Sequence, residues 1–140
     1  MLKKLVAVAF VGLFLTACDL DNPGGVLLAN ELPLSVQEYI DENAILGAGE
    51  EVVAYYDITI SLDNSRSAII TNQHLISHFD GKNTRIALED IARIDHEDAG
   101  LIGDIIIVET YRGQLMKIEI APLNGGEIFL DILRRTTGIS

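Results

Sequence analysis

The chain has 140 residues, with 10 Lys and Arg against 21 Asp and Glu, a formal net charge of −11 at neutral pH. That balance excludes nucleic acid as a partner, because neutralising phosphates takes clustered Lys and Arg. The single cysteine excludes an internal disulfide framework, and the length suits one domain with its own core.

In chain order, the first feature is the start. Lys3 and Lys4 precede an apolar run over residues 5–15, and Leu15-Thr16-Ala17-Cys18 follows. A positive end, an apolar stretch of roughly 7–15 residues and small residues at a cut make a secretory signal. The run falls short of the roughly 20 apolar residues that span a bilayer comfortably. Leu15-Thr16-Ala17-Cys18 resembles the lipobox of bacterial lipoproteins. The resemblance implies cleavage before Cys18 and a diacylglyceryl thioether on Cys18, so the membrane is a partner through a lipid anchor. Asp19 resembles the residue that keeps enteric lipoproteins from the outer membrane. That implies an extracytoplasmic location, on the periplasmic face of the inner membrane in a Gram-negative cell. All 21 acidic residues lie beyond residue 18, so the mature chain sets 8 basic residues against 21 acidic ones, a net of −13. Electrostatic docking on anionic headgroups is therefore opposed, and the acyl chains hold the protein against some repulsion.

The expected division is a signal over 1–17, a lipidated tether over 18–33 and a folded domain over 34–140. Residues 19–25 (DLDNPGG) are polar and rich in Gly and Pro, as a flexible tether is. Residues 34–43 predict a short helix, with Ser35 as cap, Glu38 completing a capping box, and Val36, Tyr39 and Ile40 on one face. From residue 50 the period changes to two. Val52, Ala54, Tyr56, Ile58 and Ile60 alternate with a wetter face that Val53 and Tyr55 partly cover, which predicts one long strand. Further strands are expected at 68–71, 75–79, 84–88, 91–95, 104–110 and 114–120, with turns at Asp63-Asn64-Ser65, Asp80-Gly81 and Arg112-Gly113. About seven short strands with turn signals between them indicate a mainly β, antiparallel sandwich or barrel. A second helix is expected over 124–137, capped by Asn124. Its apolar stripe is Ile128, Phe129, Ile132 and Leu133, and Arg134 and Arg135 suit the dipole of its last turn.

Seven antiparallel strands and a lone final helix resemble the pleckstrin-homology superfold. Residues 68–76 (AIITNQHLI), residues 86–91 (IALEDI) and Gly49-Glu50-Glu51-Val52 are similar to segments of bacterial PH-like and GRAM-like domains, in the same order, over about residues 46–138. The resemblance implies a bent, nearly orthogonal sandwich whose final helix plugs one open end. It implies a binding or scaffold module and carries no catalytic residues. Lipid-binding PH domains place several Lys and Arg in the first strand loop. Residues 61–67 (SLDNSRS) offer Arg66 alone, beside Asp63, so phosphoinositide binding is not expected.

No cofactor motif is present, and no metal site is expected. His74 and His78 are four apart, but on a strand that spacing separates them by about 13 Å, too far for one ion. Asp95, Glu97, Asp98 and Asp104 miss the spacing of a calcium loop and read as solvated. Tyr39, Tyr55, Tyr56 and Tyr111 suit core or rim positions. Tyr55, on the wetter face, either packs at the core or edge or stands exposed as a partner contact.

The function that follows is a lipid-anchored, extracytoplasmic binding or scaffold module working through protein–protein interaction at the cell envelope, without catalysis, its site either an exposed sheet edge that takes a partner's strand or a groove between the sheets and the final helix. A carrier of a small hydrophobic ligand or lipid would need an enclosed apolar pocket of several hundred Å³. A small carboxylate-dependent hydrolase would need convergent carboxylates with raised pKa values.

Overall fold

The computed structural model describes residues 22–140. The expected signal over 1–17, the anchor Cys18 and the sorting residue Asp19 lie outside the described residues. Two antiparallel sheets form the frame. The larger holds β1 (Val26–Leu28), β2 (Val52–Asp57), β3 (Arg66–Thr71), β4 (His74–Phe79) and β5 (Lys82–Ala87), in that order. The smaller holds β6 (Ile91–Asp98), β7 (Asp104–Thr110) and β8 (Leu115–Ile120). Helix α1 spans Leu34–Glu42 and helix α2 spans Gly126–Thr137. The mainly β sandwich with a final helix agrees with the reading of the sequence.

The main core lies between the sheets and α2. Ala54, Tyr56, Ile70, Leu75 and Ile86 meet Ile94, Ile106, Val108 and Ile118, and Phe129 and Leu133 of α2 close the open end. A second core lies on the opposite face of the larger sheet, where Val36 and Ile40 of α1 cover Tyr55, Ile69 and Ile76. A nine-residue helix is shorter than the roughly 12–15 residues that hold together alone in water. Burying its Val and Ile side chains, worth roughly 1.5–3 kcal/mol each, is what keeps α1 formed.

The two cores explain the departures from the sequence reading. β2 carries a bulge between Val52 and Ala54. The extra residue turns Val52 to the α1 face, while Val53 and Ala54 both face the main core. Simple alternation is therefore broken at the start of the strand. The strand also ends early. Asp57 turns in to accept the Thr59 N–H at 2.8 Å, the Thr59 hydroxyl at 2.6 Å and the Asn64 N–H at 2.8 Å. Ile60, expected on the core face, stands 104% exposed in the β2–β3 loop.

For Tyr55 the packed reading holds and the exposed partner contact does not. It is 1% exposed under α1, so it cannot serve as a surface contact. Its hydroxyl donates to Asn64 Oδ1 at 2.5 Å, and burial, reinforced by the Asp57 charge, pushes its pKa up. Tyr55→Phe is expected to lower stability by about 1–2 kcal/mol, because Asn64 then keeps a buried, unmet acceptor. Denaturant melts check this. An unchanged melt with weakened partner binding would restore the contact role.

Two caps and one boundary also differ. Pro33 takes the N-cap of α1 without a side-chain bond, so Ser35 sits inside the first turn. Gly125, at φ +89°, takes the N-cap of α2. Asn124 is engaged elsewhere: its side chain donates to the Tyr56 hydroxyl at 3.2 Å, and its carbonyl accepts the Val26 N–H at 2.8 Å. Residues 26–28, expected within the tether, are instead an edge strand registered Val26 to Tyr56.

Candidate functional site

An apolar groove runs between α2 and the β1–β2 edge. Leu28, Val52, Val53, Ile128 and Ile132 line it, with Arg135 and Thr136 at one end, and its volume is about 660 Å³. It is open to solvent along its length, not enclosed. Ile128 is 53% exposed and Leu28 37%. Aliphatic side chains of this size left in water mark a binding surface when they are contiguous. A smaller recess continues it past Ala29 and Val52 towards Leu32, Ile40 and Leu46 of the α1 region. Acidic residues flank this surface: Asp41 and Glu51 line the recess, Glu31 accepts the Leu28 N–H at the edge of the groove, and all three are exposed. Arg135 is held by Asp131 four residues earlier on α2.

The β1 edge beside the groove is closed to strand addition. The Val26 N–H is taken by Asn124, and the Leu28 N–H donates to Glu31 Oε2 at 2.8 Å. Protecting edge donors in this way blocks pairing by another chain. Whatever fills the groove does so with side chains.

Next to the groove lies a buried charge. Glu50 is 7% exposed, with its side chain at 0%. It accepts the Gly47 N–H at 2.8 Å, the Thr71 hydroxyl at 2.6 Å and His74 Nδ1 at 2.7 Å, and it pairs with Arg85. Desolvation pushes its pKa up. The Gly47 N–H, the Thr71 and His74 bonds and the Arg85 charge outweigh that and hold it at about 2. The ionised carboxylate only accepts, so Nδ1 of His74 carries the proton. Arg85 also donates to the Ile45 carbonyl. One carboxylate thus ties together the turn before β2, the β3–β4 turn, β4 and β5.

The sequence-flagged residues fall as follows. His74 is the only histidine in that clamp. His78 is buried, with Nε2 on the Tyr39 hydroxyl at 2.8 Å and Nδ1 on Asn83 at 2.7 Å. His96 Nε2 pairs with Asp104 at 2.7 Å. Among the described residues no three His, Cys, Asp or Glu side chains converge as metal ligands. Asp95 is exposed and pairs with Arg93 at 3.0 Å. Arg66, the lone cation of the loop where PH domains bind phosphates, lies 4.6 Å over the Phe79 ring. A groove between the sheets and the final helix was one of the two sites expected, though its lining residues were not. Its one visible signal was Ile128, at the outer edge of an apolar stripe on α2 wider than the core beneath it.

Two antiparallel sheets closed at one end by a C-terminal helix make a PH-like fold. A crystal structure of a DUF1696 family protein with a pleckstrin-homology domain from Shewanella loihica PV-4 superimposes on the chain with a TM-score of 0.58 and 14% sequence identity, covering 81% of this chain and 98% of that one. No protein-family model and no curated protein matches the sequence. The likeness shows the fold.

Proposed function

We propose that this protein is a lipid-anchored, extracytoplasmic scaffold module that holds an envelope protein in the α2/β1–β2 groove and catalyses nothing. The single observation that carries the reading is the open apolar groove with its acidic rim. The occupant that fits is an apolar protein segment flanked by Lys or Arg, because the rim presents Glu31, Asp41 and Glu51 and the mature chain is strongly acidic. The open form of the groove favours a protein over an enclosed small ligand or lipid. The hydrolase reading has no support in the carboxylates: Glu50 and Asp63 are both held low, the reverse of a general acid. Lipidation at Cys18 raises local concentration, so a weak contact suffices.

The test is a photo-crosslinker placed at Ile128 or Leu28 in native cells, with Leu115 as the distant control. The expected result is one protein captured from both groove positions, not from Leu115, and lost when Val53→Lys puts a like charge in the groove. Acyl lipid captured in its place would transfer the reading to lipid carriage.

A further inference from the structure

The chain enters the domain at one end of the sandwich, and four large aliphatic residues stand out in water at that same end. Ile60 is 104% exposed, Leu123 104%, Leu101 97% and Ile102 66%. Single exposed aliphatics are ordinary, but these lie on three adjoining loops. Gly24 and Gly25 share one recess with Ile58, Ile60, Leu62 and Ala121. Gly100 and Gly103 of the β6–β7 loop share another with Pro122 and Leu123.

The loops are built, not frayed. In the β2–β3 loop Asp63 accepts the Ser65 hydroxyl at 2.6 Å, the Ser65 N–H at 2.9 Å and the Ser61 hydroxyl at 2.8 Å. Together with the Asp57 bonds this fixes Ile60 outward. Leu123 is held at φ +65° and Leu62 at φ +53°, a backbone region where Gly or Asn is the easier choice. Neither burial nor backbone preference accounts for leucine at 123. A residue that breaks both local rules with no local gain is the mark of a site with another purpose.

We propose that this loop end contacts a lipid bilayer, with Ile60, Leu101, Ile102 and Leu123 inserted among acyl chains of the membrane that anchors Cys18. The inference rests on the lipid-anchor reading. The occupant follows from the length of chain between anchor and domain. Three residues lie between Cys18 and Asn22, so the four Cα–Cα steps reach at most about 14 Å. That is less than the roughly 20 Å length of a six-residue strand, so the opposite end of the sandwich cannot be turned to the membrane. Attachment is by burial of side chains: this end offers Asp63, Asp80 and Asp98 beside Arg66 and Lys82, which gives no net attraction to anionic headgroups.

The absence of tryptophan makes the test clean. The full lipidated chain, carrying Leu123→Trp, Ile60→Trp or the control Leu115→Trp at the β7–β8 turn, is reconstituted in phosphatidylcholine vesicles with brominated acyl chains. Leu123→Trp and Ile60→Trp are expected to give blue-shifted emission quenched by bromine, and Leu115→Trp emission like that in water. Tip emission like that of the control, with Cys18 acylated by mass spectrometry, overturns this proposal and leaves the anchor standing. A shift that depends on protein concentration without bromine quenching assigns the tips to a second copy, and also overturns it. An unacylated Cys18 sinks the anchor reading and this one with it.

Discussion

Glu50→Ala is expected to lose about 3–5 kcal/mol of folding stability, the cost of breaking a buried ion pair by removing one partner. The mechanism is the clamp. Removal leaves the Gly47 N–H, the Thr71 hydroxyl and one His74 nitrogen without their acceptor, and Arg85 without its counter-charge. The charge itself can be titrated in the unaltered protein. The folded pKa of about 2 lies below the ordinary value of 4.5. A depressed carboxylate contributes stability that is fully present above its unfolded pKa and is lost as pH falls through the folded one. The contribution, about 3 kcal/mol from that difference at 1.36 kcal/mol per unit, is therefore present above about pH 5 and drains away towards pH 2. Glu50→Gln should melt with a flatter acid limb than the unaltered protein, measured by thermal unfolding across that range. Identical acid limbs would show that Glu50 is not the group that sets it.

The same clamp explains why two separate segments of the sequence, residues 49–52 and 68–76, resembled one fold family. Gly49-Glu50 and Thr71-Asn72 lie about twenty residues apart but are bonded to each other. The Asn72 side chain accepts the Glu51 N–H at 2.9 Å and donates to the Gly49 carbonyl at 3.3 Å, while Thr71 donates to Glu50. Thr71 Oγ1 also accepts the His74 N–H at 2.8 Å, which shapes the β3–β4 turn. The segments were legible as a pattern. Their reason, a buried carboxylate satisfied from several strands, needed the third dimension.

What was legible elsewhere follows the same division between local and distant causes. β7 falls on its expected residues because the Ile/Val run and the turn after it are local signals. The apolar stripe of α2 was likewise visible. β1 was not, because three residues carry no period and Val26–Leu28 become a strand only by pairing with β2. The burial of Tyr55 depends on α1 folding over a face that alternation alone marks as half-wet. The groove depends on how α2 lies against β2, and the bulge that turns Val53 inward has no sequence signature. Ile60 misled for an instructive reason: it continues the alternation perfectly, while Asp57, three residues earlier, ends the strand by bonding its own loop.

Gly103→Ala is expected to be the most damaging small substitution on the loop end, costing more than about 3 kcal/mol. Gly103 has φ +104° and ψ −150°, a region essentially reserved for glycine, where strain alone costs about 1–3 kcal/mol. A Cβ there would also run into the Ile120 carbonyl oxygen and come within 2.9 Å of Ala121 C and Pro122 N. These are backbone atoms that cannot rotate aside. The residue is where the β6–β7 loop rests on the β8–α2 connection, so relief requires the two loops to separate. Leu101 and Ile102 ride on one and Leu123 on the other. Gly113→Ala supplies the comparison. It too has a positive φ, +84°, but nothing lies within 4 Å of its Cβ position, so it should lose only about 1 kcal/mol for the left-handed backbone. Paired denaturant melts give the difference between clash and strain. Equal losses would mean that the loops part freely, and a face assembled from such loops could not hold four aliphatic tips in register against a membrane.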